Sequence, residues 1–174
     1  APQAIASATG SPNPSASETG PVVAGAAVVT PARLRAAFWE RSGNALLTAG
    51  QNGIAGDAYG TAVDLLQSEN PATPALAFVL LELQRTDFRA HEGAANRAVE
   101  IYEGIAGDTI ETAVALTSSG AAAYVRGDLE TAERRYLGAL RIVRRAAPGS
   151  PTELNLLGNL GLVAMRRGDF NGAR

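Results

Sequence analysis

Three aspartates, Asp87, Asp128 and Asp169, stand 41 residues apart. The same step carries Phe88 to Leu129 and Phe170, Leu116 to Leu157, Gly120 to Gly161, and Ala132 to Ala173. It also lays "AVEIY" (98–102) on "ALRIV" (139–143). A unit of this length, with glycines and alanines at fixed places, holds two helices whose apolar faces are buried only when neighbouring units stack. The recurrence therefore predicts an all-α chain built from helix hairpins.

Start and stop signals place the helices. Thr30, Thr73 and Ser150 each precede a proline, the arrangement of an N-cap followed by the first helical residue. Asp108 with Glu111, and Ser150 with Glu153, have capping-box spacing. Gly127 and Gly168 suit a left-handed C-cap, and Asp128 and Asp169 then cap the helices that follow. "QNGIAGD" reads as a glycine break, with Asp57 capping the next helix. The expected helices cover 31–49, 58–69, 74–86, 88–105, 109–126, 129–147 and 151–167, with the start of an eighth at 169. No segment alternates long enough to make a strand.

Composition removes several function classes. There is no cysteine among the 174 residues, so disulfides and thiolate metal sites are excluded. A net charge of −2 gives no electrostatic footprint for nucleic acid. All basic residues are arginine, which together with the alanine and glycine content points to a GC-rich bacterial genome. No apolar run is long enough for a membrane span. Residues 1–30 carry one charge, Glu18, and are otherwise built from Ala, Ser, Pro, Thr and Gly with a few apolar residues. Such a stretch reads as a disordered leader or linker, and 31–174 as the helical domain. The leader fits a periplasmic or secreted location as well as a cytoplasmic one.

The residues of the repeat carry a resemblance. Leu116, Gly120, Gly127, Ala132, Tyr136 and Ala139, then Leu157, Leu160, Gly161, Gly168 and Ala173, follow the pattern of a tetratricopeptide repeat. The long step resembles the repeats of kinesin-light-chain type. The resemblance implies a right-handed α-solenoid in which the first helix of each hairpin, helix A, lines a concave groove. It fades toward the N-terminus. Val79 replaces the helix-A glycine, His91 stands where a small residue belongs, and the 41-residue step fails over 31–69.

Candidate sites are few. The two Arg-Gly-Asp triplets, 126–128 and 167–169, are explained as helix turns rather than adhesion signals. His91, the only histidine, has no triad or metal partner that the sequence identifies, and reads as a helix-packing residue. No catalytic residue, cofactor site or metal site is expected. The arginines 134, 135, 141, 144 and 145 complement the dipole of their own helix, whose first turn holds Glu130.

The helix-A face is the candidate binding site. If Leu157, Leu160 and Ala164 are buried, then Asn155, Asn159, Leu162 and Arg166 form an outward stripe. Val114, Ser118, Ala121 and Val125 match them one repeat earlier, with Tyr124 and Met165 alongside. Asparagine is a poor helix former, and its amide both donates and accepts, as an extended peptide requires. The resemblance implies this role for Asn159 in particular. The expected function is a scaffold that binds a protein or peptide. The alternative is the non-catalytic repeat region of a larger bacterial enzyme or signalling protein, such as a caspase-like protease. The repeat is interrupted at Arg174, which predicts a homodimer through an uncapped C-terminal end.

Overall fold

The computed structural model describes residues 30–168. Seven helices follow one another: α1 (Pro31–Thr48), α2 (Asn52–Glu69), α3 (Pro74–Thr86), α4 (Glu92–Ala106), α5 (Ile110–Arg126), α6 (Leu129–Ala146) and α7 (Pro151–Arg167). Each packs on the next in sequence, and α1–α2 and α5–α6 are the most extensively packed pairs. There is no strand among the described residues. The architecture is an α-solenoid of three hairpins followed by the first helix of a fourth. The expected leader (1–29), Asp169 as a cap, Phe170, Ala173 and the eighth helix lie outside the described residues.

One contact defines the hairpin. Gly120 of α5 faces Tyr136 of α6 so closely that a Cβ on the glycine would stand 2.8 Å from Tyr136 Cε1. Real carbon atoms do not approach that closely, so only glycine fits. Gly43 of α1 meets Tyr59 of α2 in the same way, at 2.7 Å. Alanines flank both rings: Ala55 and Ala62 beside Tyr59, Ala132 and Ala139 beside Tyr136, all fully buried. The first hairpin is thus a full repeat. The 41-residue step misses it because Gly43 precedes Val79 by 36 residues.

The middle hairpin exchanges the two volumes. At the glycine position stands Val79 and at the tyrosine position Ala95, both buried. A larger side chain on helix A and a smaller one on helix B fill the same gap. The distance from glycine position to tyrosine position is 16 residues in all three hairpins. What varies is the entry to helix A: α3 has 13 residues where α5 and α7 have 17.

Several helix starts differ from the sequence expectation. Asp57 does not cap α2, which begins at Asn52 and runs through Gly53, Gly56 and Gly60. Each interior glycine costs about 1 kcal/mol relative to alanine, but burial of Ala55, Ala58 and Tyr59 overrides that local preference. The chain reverses at Gly50 instead, with φ of 74°. Asp87 caps a turn rather than a helix: its Oδ1 accepts from the N–H groups of Arg89 and Ala90, and α4 starts only at Glu92. Thr109, not Asp108, caps α5, accepting from the Thr112 N–H. Asp108 instead receives Arg145 Nη2 at 2.5 Å, and that guanidinium lowers its pKa. Ser150 does accept from the Glu153 N–H, but Glu153 returns to the N–H of Gly149 rather than that of Ser150. Gly127 (φ 87°) and Asp128 behave as expected, the latter accepting from the Thr131 N–H.

The buried face of α7 also differs. Leu156 and Val163 are buried, and Leu160 packs against the core. Leu157 is 40% exposed and Ala164 only partly covered. The residues that match them in α5, Leu116 and Ala123, are buried in the α5–α6 hairpin. The register is shared, but the covering helix is not.

Two outcomes follow. Gly120→Ala should lower stability by about 1–2 kcal/mol in thermal unfolding, since overpacking outweighs the helical preference of alanine. The double change Gly120→Val with Tyr136→Ala, which recreates the Val79–Ala95 pair, should cost less than the two single changes together, a coupling of about 1–3 kcal/mol. Burial pushes the Tyr136 hydroxyl from its ordinary 10.0 up to about 12. The unfolded chain ionises first, so the stabilisation is intact below pH 10 and is lost as pH rises through 12. A denaturation series across that range should show the loss, and Tyr136→Phe should flatten it.

Candidate binding face

The helix-A face is open on α5 and α7 and closed on α3. Val114 and Val125 on α5, and Asn155, Leu162 and Arg166 on α7, are exposed; Ser118, Ala121 and Asn159 are partly covered. On α3 the matching side chains Ala77, Leu80 and Gln84 are buried. The candidate site therefore spans α5 and α7 and does not extend over α3.

Two polar ties bind this face together. Arg166 Nη1 donates to the Tyr124 carbonyl at 2.6 Å, and its guanidinium lies 5.0 Å from the Tyr124 ring centroid. The fold thus fixes both the position and the tilt of the guanidinium, and a cation over an aromatic face adds about 0.5–1 kcal/mol at such a site. A guanidinium has five N–H donors, so most of them remain for another acceptor. One register step back from Val125, Gln84 Nε2 donates to the Ser118 carbonyl at 3.3 Å. The structure brings Arg166 and Tyr124 into direct contact, as neighbouring repeats would. Asn155 and Asn159 lie one turn apart beside them, while Met165, 56% exposed, points past the stripe.

The other sequence candidates resolve into structure. Arg126 pairs with Glu92 at 3.6 Å and Arg167 with Glu133 at 2.9 Å. Both arginines and both glutamates are one 41-residue step apart, so this is a single repeated contact from the end of helix A to the preceding helix B. The Arg-Gly-Asp triplet at 126–128 is accounted for in full: a bridge, a left-handed C-cap and an N-cap. Arg85 holds the same register, but Gly56 stands where its glutamate would be, and it pairs with Glu82 instead. Exposed pairs of this kind contribute about 0–1 kcal/mol. Arg126→Ala should therefore shift unfolding by less than about 1 kcal/mol, far below the effect of Gly120→Ala in the same assay.

The arginines of α6 are likewise engaged. Arg144 pairs with Glu153 at 2.8 Å and Arg145 with Asp108 at 2.5 Å. Arg134 donates to the Thr131 hydroxyl. They tie α6 to the loops on either side of it and do not form an open basic patch. His91 is partly covered at the turn before α4, on the rim of a crevice of about 690 Å³ floored by Gly53, Gly56 and Gly60. Among the described residues no three His, Cys, Asp or Glu side chains are grouped to hold a metal ion. Among them, too, no helix is long and apolar enough to cross a membrane.

Fold and face together define a tetratricopeptide-like helical-repeat protein with one open helix-A surface. Among solved structures, the crystal structure of BtubC (BKLC) from P. vanneervenii is similar, with a TM-score of 0.74 and 21% identity over 82% of this chain. The match takes in 60% of that protein's length, and at this identity it speaks to the fold alone. No protein-family model matches the chain, and no curated protein does.

Proposed function

We propose that the chain is a non-catalytic scaffold that holds an extended peptide or a partner's extended segment along the open face of α5 and α7. The observation that carries this reading is Arg166. Its guanidinium is locked by the Tyr124 carbonyl and ring before any ligand arrives, so little side-chain entropy is lost on binding. The amides of Asn155 and Asn159 stand on the same stripe, able to donate to and accept from a peptide backbone. Val114, Val125 and Leu162 supply exposed apolar surface beside them. The face fits a segment that places an acidic group near Arg166 and apolar side chains toward α5.

The test is selection from a random peptide library displayed against the whole chain, with affinities then measured by fluorescence anisotropy. Asn155→Ala and Asn159→Ala together should weaken the selected peptides about tenfold or more, which is about 1.4 kcal/mol, while the melting temperature stays put. Peptides that bind the double variant as well as the parent would place the site elsewhere. An equal loss of stability would make the asparagines structural.

A further inference from the structure

Opposite its buried face, α7 presents a second surface that the peptide reading does not use. Leu154 (65% exposed), Leu157, Gly158, Leu162 and Met165 are exposed, and Gly161 is partly so. At 100° per residue these six fall within about 140° of one another. The buried residues Leu156 and Val163 point the other way. In α5 the matching positions Ala113, Leu116 and Gly120 are covered by α6, which runs antiparallel to it. The surface is thus of the kind that this fold covers with an antiparallel helix.

The order of residues on it is close to a palindrome. About a point midway between Asn159 and Leu160, Gly158 answers Gly161, Leu157 answers Leu162, and Leu154 answers Met165. A face that reads the same in both directions is what a two-fold, antiparallel contact requires. The six residues carry no charge, so two copies meet without repulsion. A Cβ on Gly158 would meet nothing within 4 Å, so the space above it is free.

We infer that α7 is the contact helix of a two-fold dimer, with α7 of a second copy lying antiparallel where α6 lies on α5. The glycines at the centre let the two backbones approach closely, and Leu157 and Leu162 close over them from either flank. Leu154 of one copy packs against Met165 of the other at both ends. One helix face is smaller than the about 800 Å² per partner of a standard interface, so the dimer is weak, with a Kd on the order of 10–100 µM.

The test uses the whole chain. Sedimentation equilibrium at rising concentration should show the mass climbing from monomer toward dimer. Leu154→Glu with Leu157→Glu should hold it at monomer with unchanged helical circular dichroism. Register is read by disulfides, because the parent has no cysteine. Residues 154 and 165 meet across the two-fold, whereas the two copies of residue 154 lie about 16 Å apart along the helix, beyond the about 7 Å limit for a bridge. An equimolar mix of L154C and M165C should therefore cross-link about tenfold faster than either alone. A monomer at every concentration would overturn the proposal and mean that a helix of the same chain, following the restart at Asp169, covers the face. Dimers that survive the glutamate pair, or equal cross-linking in every combination, would overturn it by placing the contact elsewhere or without register.

Discussion

The solenoid depends on a tyrosine ring laid against a bare glycine backbone. Where Tyr59 meets Gly43 and Tyr136 meets Gly120, the two helices close to a distance that no side chain on helix A would permit. The flanking alanines of helix B, Ala55 and Ala62 or Ala132 and Ala139, are drawn fully inside as a result. The ring supplies most of the buried apolar surface at that level, and the alanines keep it from being levered away. With few large side chains in the core, closeness of approach substitutes for bulk.

Charge does a different job. The bridges from Arg126 to Glu92 and from Arg167 to Glu133 are exposed and weak, yet they recur at the repeat spacing. Packing holds each hairpin shut, while these contacts, together with Arg145 on Asp108 and Arg144 on Glu153, fix how one element is set against its neighbours. Arg166 belongs to the same layer but reaches a ring and a carbonyl rather than a carboxylate. That difference leaves its positive charge uncompensated on the open face.

The C-terminal half of the fold was readable from the residues because its signals agree. Gly120, Gly127, Asp128, Ala132 and Tyr136 each do locally what the repeat asks of them. The first hairpin was not readable with a fixed step, because α3 is shorter at its start and shifts everything before it by five residues. The glycines of α2 look like a break and are not, since burial of Tyr59 and its neighbours overrides propensity. On α7 the stripe of Asn155, Leu162 and Arg166 was legible from periodicity. Its buried face was misplaced onto Leu157 and Ala164, because periodicity identifies a stripe without saying which neighbour covers it. The contact of Arg166 with Tyr124 had only a faint signal, an arginine one repeat from Val125 and beside a tyrosine.

The constant spacing of 16 residues from the helix-A contact to the helix-B contact has an evolutionary reading. Insertions and deletions are absorbed before helix A reaches the contact, never inside it, so the segment from contact to contact behaves as an interchangeable cassette. The Gly–Tyr and Val–Ala versions are two solutions to the same socket. Hairpins can therefore be duplicated, lost or transplanted within such a chain with their interiors intact, and divergence collects on the outward residues, where a partner would be chosen.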